Sequence, residues 1–169
     1  VRYAPEKGDT KLYLTTEEGE MVYADWAAVP EKEGESADLT QWIARDYFRP
    51  CVSLERSPFY ENALLSAGDW SFNIWWIDSD GLRKPVFSSP VSSSYLTCGR
   101  WSTVRPGVLM IARADGSIEV WDLTDQSHRP SATVPVASCA ITSMEFWPDT
   151  DPKHQQLLAV GDANGNLHV

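Results

Sequence analysis

Side-chain catalysis needs nucleophiles, acids and bases at recurring short spacings, and this chain has the residue types without the spacings. His128, His154 and His168 share no local context, and neither HxxxH nor HExxH occurs, so the paired imidazoles that grip a zinc ion are missing. Cys51, Cys98 and Cys139 are each more than 40 residues apart, with no C-x-x-C, and read as reduced structural thiols. Serine crowds SSPVSSS (88–94), but no GxSxG elbow surrounds any of the serines. That stretch reads as a flexible connection, with a phosphorylated loop as the functional alternative. No GxxxxGK[ST] phosphate cradle is present. Nucleophilic, metal-assisted and phosphoryl-transfer chemistry all lack their constellations, and no cofactor or metal is expected.

Charge narrows the partners. The 169 residues hold 24 Asp plus Glu against 14 Lys plus Arg, a net charge of −10. Such a balance disfavours nucleic acid or an anionic membrane surface as the main partner. No run approaches the roughly 20 apolar residues of a membrane-spanning helix. Ten of the acids fall in residues 1–38, where four bases offset them. Within that region EKEGESAD (31–38) reads as a solvated loop, with contact to a basic partner as the alternative. Position 1 is Val and no basic-then-apolar leader follows it, so the chain reads as an internal piece of something longer.

The elements that would position any site come from internal repeats. KLYLTTEEGEMVYAD (11–25), LLSAGDWSFNIWW (64–76), VLMIARADGSIEVWD (108–122) and LLAVGDANGNLHV (157–169) share one plan: an apolar run, a short turn and an alternating run. Gly19, Trp70, Gly116 and Gly165 fall at the aligned turn position. Alternation of period two, with Ile118 and Val120 on one face and Glu119 and Trp121 on the other, predicts β-hairpins with two-residue turns. A further strand precedes three of them, in CVSLERSP, YLTCGRWST and ITSMEFWPD, where Pro58, Thr103 and Pro148 are spaced by 45 residues. Four strands per roughly 45 residues describe a β-propeller blade. The expected fold is all-β, a partial propeller of about three to four blades with four antiparallel strands each. Approximate blades are 1–50 (partial), 51–94, 95–140 and 141–169 (partial). A closed ring needs about four to eight blades, so the remainder is expected outside this chain.

SIEVWD (117–122), with Asp115 six positions before Trp121, resembles the end of a WD40 repeat, and Asp69 and Trp75 repeat that geometry. The pattern erodes in the other copies, at Glu18 and Ala24 and at Asn164, and the Gly-His pair common in WD40 repeats is missing. The longer strings RSPFYENALLSAGDWSFNIWW, RPGVLMIARADGSIEVWDL and QQLLAVGDANGNLHV resemble dynein intermediate chains, most of all those of axonemal inner-arm dyneins. The resemblance covers about residues 10–169. It implies a non-catalytic WD-repeat scaffold that binds the dynein heavy-chain tail beside other intermediate and light chains. The implied setting is the axoneme of a cilium or flagellum, with indirect association to its microtubules. The alternative is a WD40 adaptor of another cytosolic complex: a cytoplasmic or intraflagellar-transport dynein, or a ubiquitin ligase. A propeller enzyme would need acids or histidines at matching inner positions of successive blades, and none is expected here.

Structural and binding residues separate on this plan. Asp69 and Asp115 are expected to fix hairpin turns through their carboxylates. Trp75 and Trp121 should pack between blades with their indole N–H groups bonded. Aromatic residues in turns and connections are the binding candidates. Trp70, Tyr47, Phe48 and Tyr95 are expected to meet on one rim, with Arg49 and Arg113 beside them, as a protein-binding patch. The alternative is that these rings fold down onto the blades.

Overall fold

The computed structural model describes residues 2–5, 10–30, 36–45, 47, 49–77, 85–147 and 156–169, with the backbone alone in 2–5. Every regular element among them is a strand. The first sheet holds β1 (Arg2–Pro5), β2 (Lys11–Thr15), β3 (Glu20–Asp25) and β4 (Thr40–Arg45). The second holds β5 (Cys51–Arg56), β6 (Ala63–Gly68), β7 (Ser71–Trp76) and β8 (Pro85–Ser88). The third holds β9 (Leu96–Trp101), β10 (Val108–Arg113), β11 (Ser117–Asp122) and β12 (Ala132–Pro135), and the last holds β13 (Ile141–Phe146), β14 (Leu158–Asp162) and β15 (Leu167–His168). Each sheet is an antiparallel meander in chain order. The first strands of neighbouring sheets, β1, β5, β9 and β13, lie against one another, and the later strands run outward from them. This is the blade arrangement of a partial WD40 propeller.

Residues 1–50, where the sequence predicts a partial blade, carry a sheet of four strands. RYAP is too short to show periodicity and ends in a proline. Its pairing, from Arg2 opposite Thr15 to Pro5 opposite Leu12, comes from the neighbouring strand rather than its own pattern.

Three apolar layers bind the sheets face to face. Tyr13 and Met21 of the first sheet meet Leu54, Leu64 and Trp75 of the second. On the other side of the second sheet, Leu65, Phe72 and Ile74 meet Leu96, Leu109, Ile111 and Trp121. Beyond the third sheet, Cys98, Ala112 and Ile118 meet Ile141, Met144 and Val160. Burying each large side chain contributes about 1.5–3 kcal/mol, so these layers are the main adhesive between blades. All of β6 is buried, because Leu64 faces one layer and Leu65 the other. A strand covered on both sides reads as a continuous apolar run instead of an alternation, which is why ALLSAG shows no period of two.

Candidate protein-binding site

Two rims flank the array. The upper rim carries the β2–β3, β6–β7, β10–β11 and β14–β15 turns together with the connections leading into the next inner strand. Backbone hydrogen bonds tie turn to connection. Tyr47 N–H donates to the Gly19 carbonyl at 3.4 Å, Leu96 N–H to the Asp69 carbonyl at 2.9 Å, and Val136 and Ala137 N–H to the Gly116 carbonyl at 3.0 and 2.9 Å. Gly116 has φ of +86°, and any Cβ there would collide with the Ala137 carbonyl oxygen. The close approach therefore requires glycine.

Turn length corrects the aligned position of Trp70. The last paired residues Thr15 and Met21, Ala112 and Ile118, and Gly161 and Leu167 have five residues between them, 16–20, 113–117 and 162–166, some still within the strands, with glycine in the fourth place at positive φ. Gly68 pairs with Ser71, leaving only Asp69 and Trp70. The positive φ of +57° belongs to Asp69. Asparagine and aspartate tolerate that region better than other non-glycine residues. Trp70 is thus not the equivalent of the glycines, and its side chain is free of the turn's backbone requirement.

Trp70 is 43% exposed at this tip. Its ring meets Tyr95 edge-on, with centroids 5.8 Å apart at 79°. Arg49 is exposed, and its Nε lies 3.9 Å from Asp69 Oδ1. Burial, then the Asp69 charge, lifts the Tyr95 hydroxyl above its ordinary value. Trp70, Tyr95 and Arg49 therefore converge around Asp69. Tyr47 does not join them. It is 7% exposed, with its O–H donating to the Ser66 carbonyl at 2.9 Å and lying 2.8 Å from Ser66 Oγ. Arg113 also turns inward, to Asp115 at 2.6 Å and Glu119 at 3.0 Å, because buried Glu119 needs a cation. Phe48 lies outside the described residues.

The WD-type residues take different tasks in the two blades. Asp115 accepts hydrogen bonds from Ser117 N–H at 3.0 Å and Ser117 Oγ–H at 2.6 Å, holding its loop. Asp69 Oδ1 is buried with no hydrogen bond among the described residues. Trp75 donates its indole N–H to Ser66 Oγ at 2.8 Å and packs edge-on to Trp42. Trp121 donates to Glu119 Oε2 at 2.9 Å and packs against Phe72.

Charged residues recur at matching inner positions, but as an acid, a base and an acid and not as acids or histidines in successive blades. Glu55, Arg100 and Glu145 are each the fifth residue of an inner strand. Arg100 Nε lies 3.1 Å from Glu145 Oε2 and 4.0 Å from Glu55 Oε1, so one cation links three blades. Glu55 Oε2 also accepts Trp101 N–H at 2.6 Å across the blade boundary. Burial pushes the Glu55 carboxyl up to about 7, against the pull of that N–H and Arg100. With Arg100 held between them, these acids tie blades together instead of forming an open acid–base pair.

Residues 4–169 match the family described as the dynein axonemal intermediate chain 3 WD40 domain. The chain is 40% identical over 152 residues to dynein axonemal intermediate chain 3 of Danio rerio, covering 86% of this chain and 15% of that one. It is 33% identical over 165 residues to the Homo sapiens protein of that name, covering 95% and 18%. The 70 kDa intermediate chain of the flagellar outer arm of Chlamydomonas reinhardtii is 29% identical over 143 residues, covering 85% and 24%. The chain thus spans less than a fifth of the length of the two intermediate chain 3 relatives.

Proposed function

This chain belongs to the dynein axonemal intermediate chain WD40-domain family, and on that premise we propose that it is a non-catalytic scaffold of an axonemal dynein in the cilium or flagellum. In the finer reading the complex is an inner-arm dynein. The propeller grips the heavy-chain tail, beside other intermediate and light chains, and meets microtubules only through the assembled arm. The inner-arm reading rests on the resemblance of the strings RSPFYENALLSAGDWSFNIWW, RPGVLMIARADGSIEVWDL and QQLLAVGDANGNLHV to inner-arm chains.

The observation that carries the binding reading is the half-exposed Trp70, braced by Tyr95 on a rim where the turn does not need its ring. An aromatic presented rigidly loses little freedom on binding, and tryptophan is over-represented among residues whose truncation costs about 2 kcal/mol or more. Exposed Arg49 beside it supplies a charged contact.

Trp70→Ala in the complete protein should weaken capture of the heavy-chain tail on the order of 30-fold, at about 1.4 kcal/mol per decade. The melting temperature should move little, since the edge contact with Tyr95 contributes only about 0.5–1.5 kcal/mol. Titrated pull-downs and melts of both proteins check this. Unchanged capture would remove Trp70 from the interface, and a collapsed melt would make its ring part of the core.

A further inference from the structure

Exposed apolar side chains in this array have two different causes. Ile43 and Leu167 sit on the first and last sheets, which have a neighbour on one face only. Trp76 ends a strand of the second sheet, packed on both faces, and Phe59 and Tyr60 lie in its β5–β6 turn, yet they are 45%, 40% and 49% exposed. They lie on the lower rim, opposite Trp70, where a further blade stacked on the array would not reach them.

Their backbone is firmly held. Ser57 Oγ accepts the N–H groups of Phe59 and Tyr60 at 3.3 Å each, and Ala63 N–H donates to the Tyr60 carbonyl at 2.9 Å. Trp76 ends β7 opposite Ala63, which sets its ring 6.3 Å from that of Tyr60, centroid to centroid. Ile77 N–H closes the corner on the Asn62 carbonyl at 2.7 Å. Two large rings are therefore presented by a held turn and a third by the adjoining end of β7, an arrangement that binds with little loss of freedom.

Among the described residues, the exposed charge on this turn is negative. Glu61 is exposed at the tip, and no ion pair to it forms among the described residues. The nearby Arg56 is turned inward: its guanidinium lies 5.8 Å from the Tyr13 ring centroid, Nη1 donates to the Glu61 carbonyl, and Nε and Nη2 are buried. The chain as a whole carries −10. An anionic lipid or nucleic acid would meet like charge here.

We propose that Phe59, Tyr60 and Trp76 form a second docking surface, for a protein segment that presents an apolar face flanked by lysine or arginine. The aromatic rings supply the apolar contact, and Glu61 meets the basic flank. The surface is separate from the Trp70 rim and stands without it.

The test places a photo-crosslinking phenylalanine analogue at position 60 of the complete protein in its native complex and maps the attachment points. Crosslinks should fall on a partner segment whose apolar residues have lysine or arginine nearby. Glu61→Lys should lower the yield about tenfold, an effect of about 1.4 kcal/mol, and Glu61→Gln should lower it less. Position 61 is exposed on a turn, so the melting temperature should stay constant, which separates lost docking from lost folding. Absent crosslinks, attachment to an acidic or wholly polar segment, attachment to a second copy of this chain, or a yield indifferent to Glu61→Lys would each overturn the proposal. The same probe at position 70 reads the opposite rim independently.

Discussion

Glu55 holds its charge against its surroundings, and that cost has a direction in pH. Burial raises its carboxyl from 4.5 to about 7, with the Trp101 N–H and Arg100 pulling it down and Glu145 pushing it up. Between those values the folded protein binds more protons than the unfolded chain. Stability should therefore rise as pH falls from about 7 towards 4.5, and stay level above 7. Glu55→Gln keeps an acceptor for Trp101 N–H but removes the buried charge. The variant should lose this slope and gain on the order of 2 kcal/mol at about pH 8. Urea unfolding of the complete proteins at about pH 5.5 and about pH 8 measures both, and an equal pH difference in the two would refute the account. Asp122, by contrast, is held below the usual carboxylate range by the hydroxyl and N–H of Thr124, so its contribution is kept above that range and lost as pH falls through and below it. The 45-residue step that aligns Pro58, Thr103 and Pro148 also aligns Glu55, Arg100 and Glu145. The signal was present in the sequence, but a series alternating in sign does not look like a repeat.

Hairpins and their period were legible because alternating apolar residues report a half-buried strand directly. Turn length was not legible. DANG, ADGS and GDW look alike as polar turns, and only the strand register shows that the last has two residues between its final paired positions where the others have five. The binding candidates divided for the same reason. Whether a connection aromatic points out, as Trp70 does, or down to Ser66, as Tyr47 does, depends on a neighbouring blade 19 residues further along the chain. The lower-rim rings escaped notice because SPFY reads locally as a turn of ordinary composition. Comparing two glycines isolates the link between turn and connection. Gly116 and Gly165 have φ of +86° and +83°, but a Cβ meets the Ala137 carbonyl oxygen at the first and nothing within 4 Å at the second. Gly165→Ala should cost about 1 kcal/mol of backbone strain, and Gly116→Ala about 3 kcal/mol or more, because the connection must also move. Parallel denaturant melts of the two variants in the complete protein would show it. Equal losses would mean that the connection yields freely.

The array as a whole ends in faces built for contact. On the first sheet the register places Leu12, Leu14, Val22 and Ile43 together, opposite the side that packs on the second sheet. Near the other end an apolar groove of about 280 Å³ opens between Val120, Val134 and Val136 and the short β15. Residues 1–169 expressed alone should therefore self-associate through these faces and through unpaired strand edges. Size-exclusion chromatography with light scattering reads this out, and a monodisperse monomer with a sharp melt would count against it. The bonds between upper turns and the connections beyond them also impose an order in time. The Gly19 carbonyl is completed by Tyr47, the Asp69 carbonyl by Leu96, and the Gly116 carbonyl by Val136 and Ala137. A ribosome releasing the chain from its N-terminus delivers each hairpin before the segment that secures it. Each of these three blades is therefore finished one step late, when the beginning of its successor emerges, and synthesis advances the array as a ratchet.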